Sequence, residues 1–151
     1  DQKRHPRVFR SDCTKERQLS MSLVLPFEQW PVADRAQWDA LFREGGPLDD
    51  RGPLARYRDT SRHTLSVRYG RWMKWLEDKD PLALSDPPIA RGTLSRLRLW
   101  LEDLQHTAPM TQLAFIEAVS RVGRAANPTL DWTATECARH GGECGQERLS
   151  P

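Results

Sequence analysis

The chain has 151 residues and a mass of 17.4 kDa, the size of one ordinary domain. Hydrophobic residues make up 38% and charged residues 29%, enough for one compact core. The net charge of +2 points to no partner by itself, and no apolar run approaches the roughly 18 residues of a membrane helix.

Residues 1–18 hold six basic side chains (Lys3, Arg4, Arg7, Arg10, Lys15, Arg17) against three acidic ones. Polar, charged and broken by proline, they read as a mobile basic arm. Residues 19–31 carry the longest apolar stretch, Leu23 to Phe27, and end at Trp30-Pro31. They read as an extended segment laid across the domain. A first helix is expected over 32–44, with Ala33, Ala36, Trp38, Leu41 and Phe42 as its apolar stripe. Gly45-Gly46-Pro47 stops it, and residues 45–56 form a loop.

The second helix is the clearest. Thr60 or Ser61 can cap it, and it runs to about Lys79 before Pro81. Leu65, Tyr69, Trp72 and Leu76 recur at helical spacing on one face. His63, Arg71 and Lys74 fall on or near the opposite face, with Thr64 and Arg68 on its flank. A proline-rich connector covers 80–90. The third helix spans about 91–105, with Leu94, Leu97, Leu101 and Leu104 in register and Arg91, Arg96 and Arg98 off that stripe. The fourth opens after Thr107 with Pro109 in its first turn and ends near Ala126, before Asn127-Pro128. Phe115, Ile116, Ala118, Val119 and Val122 make its buried side. Glu117, Ser120, Arg121 and Arg124 line the other.

No strand alternation of useful length occurs, so the expected fold is all-α: a compact four- to five-helix bundle with flexible tails. The expected division is a basic arm and extended segment over 1–31, a helical domain over 32–132, and a tail over 133–151. A first residue that is Asp rather than Met suggests a fragment, a processed or a trimmed chain. Three cysteines are too few for a disulfide scaffold; with no secretory signal at the start, they fit a reducing cytoplasm.

Motifs of catalysis are lacking. There is no Gly-rich phosphate loop, no His-Glu-x-x-His and no Gly-x-Ser-x-Gly. The two tyrosines are Tyr57 and Tyr69, and Tyr69 sits on an apolar face, as a core residue would. Cys137, His140 and Cys144 supply three zinc-type ligands, one short of a closed structural site, so no metal or other cofactor is expected. The basic residues are better organised. The cations are 19 arginines and 4 lysines, and arginine forks grip phosphates and guanine edges bidentately, although a GC-rich genome also favours arginine. Six lie between Arg56 and Lys74 against a single acid, Asp59; Arg91, Arg96 and Arg98 make a second run, and Arg121 and Arg124 share one face. Basic faces on particular helices of a near-neutral chain suit a binder of double-stranded DNA. The competing reading is a helical protein-interaction module: six tryptophans are many for this length, and Trp75, off the main apolar face, can anchor a partner.

The stretch from Thr60 to Leu76, TSRHTLSVRYGRWMKWL, resembles the opening helix of the core-binding domain of tyrosine recombinases, the phage-integrase family. Ser61, Thr64, Tyr69, Trp72 and Leu76 fill comparable places, with the Thr-to-Tyr gap one residue longer than the family's pattern. The proline-rich connector from Pro81 to Pro88, the Leu-rich helix, and Thr111, Ala118, Val119 and Gly123 before Asn127-Pro128 continue the likeness over residues 57–132. The resemblance implies a SAM-like helical clamp on duplex DNA. Its second and fourth helices would face the major groove through Arg62, Thr64, Arg68, Arg71, Lys74, Thr111, Gln112, Arg121 and Arg124. It implies no activity for this chain, which lacks the family's catalytic motifs. Its further partners would be a catalytic domain or other recombinase protomers.

Overall fold

A computed structural model of the chain describes residues 23–132. Expectations for the arm over 1–18, for residues 19–22 and for the tail over 133–151 lie outside the described residues. The elements are five α-helices: α1 (Val32–Leu41), α2 (Asp59–Lys79), α3 (Pro88–Arg91), α4 (Leu94–Asp103) and α5 (Pro109–Ala126). Short 3₁₀ turns cover Phe27–Gln29 and Pro81–Ser85, and no strand occurs among the described residues. The all-α bundle expected from the sequence is the architecture found.

Helix α2 is the axle. Its buried residues include Leu65, Tyr69, Trp72, Met73 and Leu76, the stripe set by helical periodicity plus one neighbour. Two strings of aromatic rings meet it. Phe27, Trp30 and Trp38 lead to Tyr69, with Trp30 edge-on to Trp38 at 5.3 Å and to Tyr69 at the same separation. Trp72 packs between Trp75, stacked at 5.5 Å, and Trp100 at 5.0 Å, and Trp100 reaches Phe115 of α5. Edge-to-face and offset contacts of this kind add to the area that large rings bury. All five residues expected on the inner side of α5 are buried.

The segment before α1 does lie across the domain. The Leu25 amide donates to the Gly70 carbonyl in the middle of α2, at 3.0 Å, and the Trp30 indole N–H donates to the Leu25 carbonyl. A Cβ at position 70 would stand 2.8 Å from Val24 and 2.9 Å from the Leu25 oxygen, so the crossing needs glycine there. At the other end, Trp132 folds back over Gly123, where a Cβ would overlap the indole, and its Nε1 donates to the Asn127 carbonyl.

Several details differ from the sequence expectation. On α1 the inward positions are Asp34, Trp38 and Leu41, while Ala33 and Ala36 are exposed. Helix α2 starts two residues earlier than a Thr60 cap would allow, and three earlier than a Ser61 cap. Arg58 is its N-cap, with extended backbone and no side-chain cap. The connector is not a plain coil, because its prolines open a 3₁₀ turn and the one-turn α3. Helix α4 begins only at Leu94, capped by Thr93.

The largest departure is Arg91. It does not join a basic surface but is 1% exposed, beside Asp34 at 2%. Its Nη1 donates to Asp34 Oδ1 at 2.6 Å, Nε donates to the Ala83 carbonyl, and Nη2 donates to the carbonyls of Leu84 and Asp86, each at 2.8 Å. The other carboxylate oxygen, Asp34 Oδ2, is buried without a partner. Burial pushes the Asp34 carboxyl above its ordinary value of 3.8, against the opposing pull of Arg91. The native state therefore holds this proton more tightly than the unfolded chain. The stabilisation from that proton is complete below the ordinary carboxylate pKa and is lost as the pH rises through the raised one. In denaturant unfolding, Arg91→Ala should cost about 3–5 kcal/mol, because it leaves a buried charge unpaired. The stability of the native chain relative to Asp34→Asn should be greatest in acid and decline as the pH rises.

Candidate nucleic-acid interface

Four arginines gather along the first half of α2. An open groove of about 510 Å³ runs along one flank of its first half. Arg56, Tyr57 and Arg58 from the incoming loop form one wall. Thr60, Ser61, Thr64, Leu65 and Arg68 of α2 form the floor, and Arg121 of α5 stands opposite. Four arginines and no carboxylate line it. Among the described residues, none of the six close ion pairs involves any of these four. The Arg121 guanidinium lies 6.0 Å from the centre of the Tyr57 ring, which fixes one side chain of the far wall.

Local sequence explains the shape. Glycines and prolines over 45–53 prevent helix from forming before α2, and Leu54 anchors the loop by burial and by its amide bond to the Leu41 carbonyl. The three residues that follow are thereby held beside the helix start. Since Arg58 supplies no side-chain cap, the first turn of a 21-residue helix opens on the groove with its amides unmasked by any capping side chain. The positive end of the helix dipole adds to the arginines. Thr64 donates to the Thr60 carbonyl and Ser66 to that of His63, so both hydroxyls lie flat along the helix.

A second depression, of about 280 Å³, lies on the opposite flank and is lined by Phe27, Trp38, Asp59, Arg62, His63 and Ser66. Clefts on both flanks leave the first half of α2 standing as a ridge. At 100° per residue, its outward positions are Thr60, His63, Thr64 and Val67, all exposed, followed by Arg71 and Lys74.

The nine residues singled out from the sequence are not all brought together. Thr64, Arg68 and Arg121 line the arginine groove. Arg62 lies in the second depression with its guanidinium 4.7 Å from the Phe42 ring centre. Arg71 stacks in the same way over Phe115, farther along α2. The Lys74 ammonium is held by Glu77 at 2.8 Å and Asp78 at 3.2 Å, above all by the Glu77 hydrogen bond, which raises it beyond its usual range. Thr111 and Gln112 sit in the opening turns of α5, about 15 Å along its axis from Arg121. The Gln112 amide donates to the carbonyls of Leu104 and Thr107, closing the end of α4. Arg124 is on the last turn of α5, half-buried.

Arg56 and Arg58 complete the groove although neither stood among the nine. Their signal was present in the basic run from Arg56 to Lys74, but loop residues carry no periodicity that tells which way they face. Of the run of Arg91, Arg96 and Arg98, only Arg98 stands exposed on the surface. Arg91 is internal, and Arg96 is bound to Asp80 at 3.0 Å and lies 3.9 Å from Asp86. Trp75, the possible partner anchor, is half-buried, stacked on Trp72 and donating its N–H to Asp103. Tyr69 is fully enclosed, and burial holds its phenol neutral.

Among the described residues, no group of His, Cys, Asp and Glu is placed to hold a metal, and no helix is long and apolar enough to cross a membrane. Cys137, His140 and Cys144 lie outside the described residues. Comparison of the chain with protein-family models, with curated proteins and with solved structures finds no match.

One electrostatic statement is directly checkable. Glu77→Gln combined with Asp78→Asn removes both acceptors of Lys74. Its pKa, followed by NMR titration of the ammonium, should fall toward the ordinary 10.5.

Proposed function

We propose that this domain binds double-stranded DNA by setting the first half of α2 into the major groove. The observation that carries the reading is the groove of four arginines without a carboxylate, beside a free-standing helix end. An α-helix with its side chains is about 10–12 Å across and the major groove is about 12 Å wide, so a ridge with clefts on both flanks has the right cross-section. The clefts leave room for the two phosphate backbones that border the groove. Arg56, Arg58 and Arg121 are exposed and suited to phosphate contacts; Arg68 is half-buried on the floor. Phosphate contacts position such a protein, and base contacts specify the site.

The more specific proposal is that the domain is the DNA-gripping part of a site-specific recombinase of the tyrosine family. The resemblance over residues 57–132, the Pro-rich connector between two long helices and the basic end of α2 support it. In that reading the domain performs no chemistry itself. Cleavage and rejoining belong to a catalytic domain, and cytoplasmic DNA is the substrate. Trp75, the anchor in the alternative of a protein-interaction module, is half-buried, stacked on Trp72 and bonded to Asp103.

The test is duplex binding measured by fluorescence anisotropy across a salt series. Affinity should fall as salt rises, each phosphate contact contributing about 0.9 to the log–log slope. Arg56→Ala with Arg58→Ala should lower the slope by about 1.8 and leave helix content unchanged. Lys74→Ala should change it far less, since Glu77 and Asp78 already neutralise that ammonium. Loss of binding in Arg4→Ala with Arg7→Ala, and none in the groove variant, would transfer the function to the basic arm.

A further inference from the structure

Val67 is out of place on α2. It is 37% exposed, belongs to no part of the hydrophobic core, and sits at the centre of the outward ridge, between Thr64 and Arg71. A single exposed aliphatic side chain is ordinary on a protein surface. Two features set this one apart. Valine is a poorer helix former than alanine at an exposed position. It also occupies a stretch of surface with an arginine groove on its flank.

Its neighbour Thr64 deepens the pattern. With its hydroxyl donated to the Thr60 carbonyl at 2.9 Å, Thr64 has its hydrogen-bonding capacity turned toward the helix, and its methyl remains as outward-facing surface. The ridge therefore presents two small apolar groups one turn apart, Thr64 and Val67, bordered by cations. Of the groups exposed on base edges in the major groove, one is apolar: the 5-methyl of thymine.

We infer that Thr64 and Val67 form a thymine-methyl reading surface at the tip of α2, while the arginines of the adjoining groove hold the phosphates. The inference rests on the duplex-binding reading above and adds to it a base preference and the residues that set it. At Thr64 and Val67 the ridge offers methyl groups, while Thr60 and His63 beside them carry the polar groups that guanine and cytosine edges would need. Contact with a thymine methyl removes apolar surface on both sides from water. One buried methyl corresponds to about a fourfold gain in affinity.

The experiment compares two short duplexes of alternating sequence, one built from adenine and thymine, the other from adenine and uracil. They differ in the 5-methyl group at every pyrimidine. The intact chain should bind the thymine duplex about two- to fourfold more tightly. Val67→Ala should remove most of that difference while keeping the salt dependence, and circular dichroism should show its helix intact. Arg56→Ala with Arg58→Ala should weaken both duplexes equally and keep the preference. Equal affinity of the intact chain for the two duplexes overturns the inference and leaves duplex binding standing. So does a preference that survives Val67→Ala undiminished. Failure to bind either duplex overturns the DNA-binding reading itself.

Discussion

The arrangement of this bundle hangs on a guanidinium placed where no water reaches. Arg91 ties α1, through Asp34, to the 3₁₀ turn and its C-cap, through the Ala83, Leu84 and Asp86 carbonyls. Moving a cation and a carboxylate into the interior is expensive, several kcal/mol for each ion. The geometry offsets that cost by giving the guanidinium one carboxylate and three carbonyls, with Met73 sulfur 3.8 Å away. Such a site has no apolar equivalent, because removing the arginine would leave the buried acid unpaired and take a donor from three carbonyls. A proline-rich connector that cannot form a continuous helix is thereby fixed against the axle of the bundle.

Arginine serves three separate purposes here, and its abundance is intelligible only when they are told apart. One arginine is internal cement. Two, Arg62 and Arg71, lie over the rings of Phe42 and Phe115 and extend apolar packing with their planar faces. Four line an open groove that no carboxylate lines. Lysine could take neither of the first two places with the same geometry. A count of cations along the sequence merges all three uses. That is why the run around Arg91, Arg96 and Arg98 read as a surface, while the structure spends Arg91 and Arg96 on ion pairs and carbonyls and leaves Arg98 exposed.

Helices were legible where one face carries large apolar side chains at 3–4 spacing. Leu65, Tyr69, Trp72 and Leu76 located α2, and Phe115 to Val122 located the inner side of α5. Legibility failed where burial is polar. Asp34 points inward because a partner 57 residues later neutralises it, and nothing local to α1 announces that. Ala33 and Ala36, small enough to suit either face, were assigned inward by default. The site was half legible for a related reason. Periodicity put Thr64 and Arg68 on a common flank, but Arg56 and Arg58 reach the groove through a loop whose direction depends on the burial of Leu54. Lys74 and Gln112 looked equally available in sequence; local partners, Glu77 with Asp78 for one and the end of α4 for the other, occupy them.

The crossing of the entry segment over Gly70 bears on how the chain is made. Leu25 and Trp30 leave the ribosome first, yet the carbonyl that receives the Leu25 amide belongs to a residue made 45 positions later. At roughly 5–20 residues per second, that interval is about 2–9 s. During it, two side chains destined for the core stand exposed on a nascent chain whose axle does not yet exist. Asp34 waits longer, for Arg91. The anchoring of the entry segment on the bundle thus depends wholly on chain made after it.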